Sequence, residues 1–273
     1  MADKTRTEDL LQKAVAALTV TGAFQNREEL LLGVDLGTAS IVLVVLDGQK
    51  NPIACELELA SVVRDGLLVD YFGAVTILQR LKERLEARLG VPLTRAAIAV
   101  PSGTNSGDAG AHRHVVEACG LEVTGIVDEP TAANRVLGVQ NGVVVDIGGG
   151  TTGLTVFRDG DAIYTADEAT GGVHVSLVLM GSLKISFEEA EALKRDPARS
   201  SEVLGMVKPV IEKMAGIVRN HIRDYQVDNI CLVGGTCCLG GMENIFKNEL
   251  GITAYKPPDP FLVTPVGIAM SCG

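Results

Sequence analysis

Two stretches of this sequence place a carboxylate a short distance before glycines and hydroxyls. One is Asp35-Leu36-Gly37-Thr38-Ala39-Ser40, the other Asp146-Ile147-Gly148-Gly149-Gly150-Thr151-Thr152. Glycine lets backbone amides approach a ligand and adopt φ > 0, and successive N–H groups at a strand end form an anion-binding concavity. Threonine hydroxyls add donors, and an aspartate among phosphates can hold a hydrated Mg²⁺. A glycine triplet alone is also an ordinary strand-to-strand turn. A third loop of the kind, Gly234-Gly235-Thr236, follows an apolar run ending at Val233. Glu129 precedes Pro130 at a strand-to-helix junction, because proline suits the first helical turn. It is the carboxylate best placed to orient a water nucleophile.

These residues need elements to hold them. The apolar run 143–145 reads as a strand buried on both faces. After its glycines come an apolar strand over 154–157, the turn Asp159-Gly160 and a returning strand over 162–166. The stretch from residue 30 repeats that order: strand, Asp-x-Gly, strand over 41–46, the turn Asp47-Gly48, and a strand over 53–59. Two such units about 110 residues apart indicate a duplicated half-domain, since chance rarely reproduces flanking strands and a second turn together.

Between and beyond them the periodicity predicts helices over 71–89 (stopped by Gly90), 108–119 and 173–180, the last opened by Gly171-Gly172. Ser186 and Glu189 form a capping box for a helix over 187–195. A long helix over 200–225 carries the stripe Val203, Val207, Val210, Ile211, Met214, Ile217, Val218 and Ile222. Strands are predicted over 96–100, 123–127 and 228–233, and further helices over 241–250 and 265–270. Pro257-Pro258-Asp259-Pro260 reads as a rigid crossover, and a short helix lies within 6–27. The alternation implies an α/β fold with a largely parallel central sheet, whose ligands bind beyond the carboxyl ends of the strands. A nucleoside triphosphate with Mg²⁺ fits loops of this type.

The chain of 273 residues carries a net charge of −10, which disfavours nucleic acid as a partner. No apolar run spans a bilayer and the first residues lack a signal core, so a cytoplasmic protein without membrane attachment is expected. The 6 cysteines form no CxxC pair and read as reduced, mostly buried thiols, with Cys237-Cys238 beside a glycine loop. His112 and His114 lack a third ligand and read as surface polarity, and His174 reads as a structural histidine near Gly171-Gly172.

The motifs resemble those of the actin-like and DnaK-type (Hsp70-like) ATPases. Asp35-Leu-Gly-Thr38, Asp146-Ile-Gly-Gly-Gly-Thr-Thr152 and Val233-Gly-Gly-Thr236 are similar to their phosphate-1, phosphate-2 and adenosine motifs. Gly125-Ile-Val-Asp-Glu-Pro-Thr-Ala-Ala133 and Thr264-Pro-Val-Gly-Ile-Ala269 are similar to the two connecting segments, and all five stand in family order. Residues 63–69 and 100–103 also resemble stretches of MreB. The sequence as a whole, including Glu188-Glu-Ala-Glu-Ala-Leu-Lys-Arg-Asp196, most resembles the EutJ family of ethanolamine-utilisation proteins, encoded with microcompartment genes and described as chaperones.

The resemblance implies an actin-like ATPase fold: two duplicated lobes of mixed β-sheet flanked by helices, a nucleotide cleft between them, and reduced outer subdomains. Lobe I would take residues 30–138 plus 262–273 and lobe II residues 139–261, after an N-terminal extension over 1–29. Asp35 and Asp146 would be metal-proximal carboxylates acting largely through water, and Glu129 would position the attacking water. Gly37, Thr38, Ala39, Gly148, Gly149, Gly150 and Thr151 would meet phosphates, and Gly171, Gly172, Gly234, Gly235 and Thr236 the rest of ATP or ADP. Glu191 and Lys194 match a Glu-x-x-Lys pair near the ribose, with a surface ion pair as the alternative.

The implied function is an ATPase acting as chaperone or reactivating factor, its client an ethanolamine-utilisation enzyme such as ethanolamine ammonia-lyase or a microcompartment component. A nucleotide-dependent polymer is the alternative, with a homo-oligomer as its simplest form. A small-molecule kinase is disfavoured, because no extra catalytic aspartate for an acceptor hydroxyl stands out. The sequence shows no peptide-binding β-domain or lid like those of DnaK, so client binding of that kind is not expected.

Overall fold

The computed structural model describes residues 4–19 and 29–272. Its chain divides into two compact units, residues 1–138 with 262–273, and residues 139–261. Helix α1 spans Lys4–Ala17, and the part of the expected N-terminal helix over 20–27 lies outside the described residues.

In the first unit, strands β1 (Leu31–Leu36), β2 (Ser40–Leu46) and β3 (Pro52–Leu59) form an antiparallel meander. A small hairpin follows, β4 (Val63–Arg64) with β5 (Leu67–Leu68), then helix α2 (Tyr71–Leu89). Asp70 caps α2 by accepting from Gly73 N, and Gly90 at φ 72° ends it. Strand β6 (Arg95–Val100), helix α3 (Ser106–Ala118), strand β7 (Glu122–Asp128) and helix α4 (Glu129–Leu137) complete the run. The sheet order is β3-β2-β1-β6-β7, with β1, β6 and β7 parallel. Leu32, Val34, Ile41, Leu43 and Ile98 on one face pack on Leu78, Leu81 and Leu85 of α2 and Val115 of α3.

The second unit repeats this plan. Strands β8 (Gly142–Ile147), β9 (Thr152–Arg158) and β10 (Asp161–Glu168) form the meander. Helices α5 (Gly172–Leu183), α6 (Phe187–Arg195) and α7 (Ser200–Ile222) precede strand β11 (Asn229–Val233). Helix α8 (Met242–Leu250) and strand β12 (Thr253–Tyr255) follow. The sheet order is β10-β9-β8-β11-β12, the same permutation as in the first unit. Six of the eight stripe positions on α7 are fully buried against the sheet, while Val210 and Ile217 flank them half-buried. Val143, Val144 and Val145 are all buried, as a strand covered on both faces requires.

Helix α9 (Pro260–Ala269) begins earlier than the expected 265–270. Pro260 opens the helix where a missing N–H costs nothing, so the proline run is a crossover only as far as Asp259. Most of α9 belongs to the first unit, where Ile268 joins Ala132 of α4 to cover Ala97 and Ala99 on the sheet's other face. Small residues are needed there. A Cβ on Gly33 would come within 2.8 Å of the Ala269 Cα, and one on Gly267 would overlap the Ala132 carbonyl.

Helix α1 is also part of the first unit. Leu11 and Ala14 are buried, Thr7 Oγ1 donates to Val136 O at 3.1 Å, and Arg88 Nη2 donates to Ala17 O at 2.7 Å. His112 is not surface polarity as its spacing suggested: it is 2% exposed, and Nδ1 donates to the Asp108 carbonyl at 3.0 Å. The expectation of mostly buried thiols holds among the described residues, with Cys238 the exposed one.

Candidate nucleotide-binding loops

Asp146 is the next-to-last residue of β8, 5% exposed and opposite Gly153 of β9. Ile147 pairs with Thr152, and Gly148 N donates to Thr151 O at 3.1 Å, so Gly149 and Gly150 form the tip of a tight hairpin. Its carbonyls are drawn to one side. The first amides of α5 have no partner within their own helix, and they find one here. Gly172 N donates to Gly148 O at 2.9 Å and Val173 N to Gly149 O at 2.8 Å. Thr236 Oγ1 adds a bond to Gly148 O at 2.7 Å.

In a trans peptide the C=O of one residue and the N–H of the next point in opposite directions. Fixing the carbonyls of Gly148 and Gly149 toward α5 therefore turns the N–H groups of Gly149 and Gly150 away from it, as an anion concavity requires. The glycines around the loop make that packing feasible. A Cβ on Gly171 would come within 2.8 Å of the Gly149 carbonyl carbon. Gly234, at φ 92°, leaves room for the Asp146 carboxylate, which a side chain there would strike.

The surface-ion-pair alternative for Glu191 and Lys194 does not hold. Both side chains are 14% exposed. Lys194 Nζ donates to Gly172 O at 3.1 Å, Ser176 Oγ at 2.9 Å and Glu191 Oε1 at 2.5 Å, which uses all three ammonium protons. Ser176 Oγ closes the cluster with a short bond to Glu191. Burial draws Lys194 below its usual range, while Glu191 pulls the other way. In this structure the pair braces the start of α5 behind the loop. His174 is likewise occupied, its Nδ1 accepting from Gly171 N at 3.3 Å.

The first unit builds the same hairpin. Gly37 N donates to Ser40 O at 3.0 Å, Leu36 pairs with Ile41, and Asp35 stands opposite Val42. Asp35, Gly37 and Thr38 are half-buried and Ala39 exposed. By register the partner of Thr151 is Ser40, a buried hydroxyl that the sequence reading passed over in favour of Thr38. Counting from each aspartate, rather than matching threonine to threonine, finds it. Glu129 opens α4 behind the N-cap Asp128, whose Oδ1 accepts from Thr131 N at 3.1 Å and lies 3.4 Å from Ser102 Oγ.

No cluster of three or more His, Cys, Asp or Glu among the described residues could cage a metal ion. Mg²⁺ keeps most of its water and binds through one or two carboxylates rather than a protein cage, so it does not require such a cluster. No helix among the described residues is long and apolar enough to cross a membrane.

Two family descriptions match parts of the chain: "Hsp70 protein" over residues 73–191 and "Type IV pilus assembly protein PilM" over residues 134–263. The chain is 45% identical over 262 residues to the ethanolamine utilization protein EutJ of Salmonella typhimurium (strain LT2), covering 96% of this chain and 92% of that protein. The EutJ of Escherichia coli (strain K12) is 43% identical with the same coverage. Among solved structures, EutJ from Carboxydothermus hydrogenoformans aligns with a TM-score of 0.92 at 46% identity, covering 99% of this chain and 100% of that one. MreB5 of Spiroplasma citri bound to ADP aligns at 0.73 and 17% identity, covering 89% and 95%. The PilM–PilN type IV pilus biogenesis complex aligns at 0.72 and 14%, covering 88% and 97%. The last two likenesses concern the fold alone.

Proposed function

Because the chain belongs to the EutJ family of ethanolamine-utilisation proteins and has the actin-like ATPase fold, we propose that it binds and hydrolyses ATP to drive a change in how it holds a protein partner. The observation that carries this reading is the hairpin after Asp146, whose inward-turned carbonyls aim the Gly149 and Gly150 amides outward at the end of a parallel strand pair. Asp146 would hold a hydrated Mg²⁺, which supplies charge neutralisation for the phosphates when bound. Asp35 and its hairpin are the counterpart in the first unit, and Glu129 is the carboxylate that orients water.

Family membership supports a place in ethanolamine utilisation, with the partner an enzyme of that process, such as ethanolamine ammonia-lyase, or a microcompartment component. Hydrolysis would switch the protein between two states of different partner affinity, and the free energy comes from contacts made to the γ-phosphate in one state only.

Thermal denaturation with ATP–Mg²⁺ tests the nucleotide reading. The wild type should gain several degrees and Asp146→Ala much less, and equal gains in both would sink the assignment. Capture from ethanolamine-grown cells with Glu129→Ala tests the partner. Recovery of an ethanolamine-utilisation enzyme or shell protein supports the chaperone reading, and ATP-dependent pelleting of the protein alone favours a polymer instead.

A further inference from the structure

The loop after β11 is held from outside by a cation. Past Gly234 the chain makes a single 3₁₀ turn, Gly235–Cys238, and carbonyls at the end of such a turn have no partner within it. Lys256, the residue after β12, supplies one. Its Nζ donates to Cys237 O at 2.9 Å and to Leu239 O at 2.8 Å, the contact a lysine makes with the last carbonyls of a helix. Glu243, in the first turn of α8, completes the arrangement. Its Oε2 lies 3.6 Å from the ammonium and is buried without a hydrogen bond among the described residues. The two side chains are 19% and 27% exposed, so bulk water screens the pair only in part.

Nothing in the duplicated plan demands a lysine there. Gly33, two residues before Asp35, leads through its strand partner Ala97 to Gly125. Val144, two residues before Asp146, leads through Cys231 to Tyr255. Lys256 therefore stands where the first unit has Ile126, an exposed apolar residue. The first unit's loop after β6 closes on itself instead, with Thr104 N and Oγ1 both donating to Pro101 O.

What the clamp fixes is Thr236, in the middle of the turn. Leu239 N donates to Thr236 O at 3.2 Å, and Thr236 Oγ1 donates to Gly148 O at 2.7 Å. The Gly148 carbonyl is the one whose direction turns the Gly149 N–H outward. A continuous set of hydrogen bonds thus runs from the Lys256 ammonium, through the turn and Thr236, to the peptide that offers its amide to an anion.

We propose that Lys256 is a positioning residue for nucleotide binding: it locks the turn after β11, so that Thr236 keeps the Gly148 carbonyl aside and the Gly149 amide faces the phosphates. This role rests on the nucleotide-binding reading above and deepens it. It belongs to the binding of the phosphates, which ADP and ATP share, and not to the chemical step.

The test is ADP–Mg²⁺ affinity by calorimetry, with the melting temperature of the nucleotide-free protein in parallel. The variants are Lys256→Met, Lys256→Arg, Glu243→Gln, Thr236→Val and the doubles K256M/E243Q and K256M/T236V. Lys256→Met should weaken ADP about tenfold, the effect of losing charge-assisted hydrogen bonds. It should also melt lower, because Glu243 loses its counter-charge. Adding Glu243→Gln should restore most of the melting temperature and none of the affinity, which separates a positioning role from a merely structural one. That double also carries the measurement if Lys256→Met alone does not fold. Glu243→Gln by itself should leave the affinity unchanged. Lys256→Arg, whose fork can donate to two carbonyls, should bind ADP within about threefold of wild type. K256M/T236V should bind no more weakly than Thr236→Val, since both losses act through Gly148 O.

A Lys256→Met variant that binds ADP like wild type, a K256M/E243Q double whose affinity recovers with its stability, or additive losses in K256M/T236V would each overturn the role of Lys256 and leave the nucleotide reading standing. A wild type that binds neither ADP nor ATP would remove that reading, and the role with it.

Discussion

Thr236 gives its hydroxyl proton to the carbonyl oxygen of Gly148 across 2.7 Å, joining the loop after β11 to the hairpin after β8. Two glycine loops far apart in sequence are thereby one object, and Gly172 lies against the joint. A Cβ on Gly172 would overlap Thr236 Oγ1 and come within 3.3 Å of Lys194 Nζ. Gly172→Ala should therefore cost roughly 1–3 kcal/mol, the usual penalty of overpacking a filled site. Urea denaturation reads that loss, and the melting-temperature gain on adding ATP–Mg²⁺ should shrink with it.

The cluster behind that joint predicts an asymmetry between removing one charge and removing two. Lys194→Met leaves Glu191 in a nearly water-free site with only Ser176 and the distant Arg195, 3.8 Å away, to stabilise it. A loss of about 2–4 kcal/mol is expected, short of the full cost of orphaning a buried charge because some solvent reaches the pair. Lys194→Met combined with Glu191→Leu should be more stable than Lys194→Met alone. Chemical denaturation of the three variants checks the order.

Asp167 gives a pH dependence whose sign follows from its raised carboxyl. The folded protein holds this proton more tightly than the unfolded chain, so the contribution of Asp167 to stability is most favourable below about pH 4 and declines as pH rises toward about 7. Burial is the main cause, joined by the charges of Asp146 and Glu168, with only Thr151 opposing them. Asp167→Asn removes the penalty. It should melt above wild type at pH 8, and the gap should narrow at pH 5 and close near pH 4.

Helix α1 should behave as part of the first unit rather than as an appendage. Leu11 is 1% exposed, and truncating a buried leucine costs about 2–5 kcal/mol. Leu11→Ala should lower the urea midpoint by a corresponding amount, whereas Val15→Ala, at an exposed position of the same helix, should leave it nearly unchanged.

Much of the plan was legible in the residues because it is written twice. Both hairpins, their aspartates and their returning strands follow from continuous apolar runs ending in Asp-x-Gly, and the long stripe of α7 from its helical period. What escaped depends on contacts between distant residues. The returning strand was read only to 166, one residue short of Asp167, and its meaning needs the register of three strands. The burial of Glu191 and Lys194 could not be told from a solvated pair by spacing alone, since both arrangements put them one helical turn apart. His112 reads as polar in isolation and is buried only because α3 packs that side against the unit. The hairpin of β4 and β5 is two residues per strand, too short for any periodicity to register.

The placement of α9 sets an order for biogenesis. The second unit is one uninterrupted stretch, residues 139–261, whereas the first is finished only by residues 262–272, synthesised after it. Until those residues are available, the sheet face bearing Ala97 and Ala99 waits for Ile268 to cover it. The half that is translated first is the half that matures last. Until then the first unit presents bare apolar surface at Ala97 and Ala99.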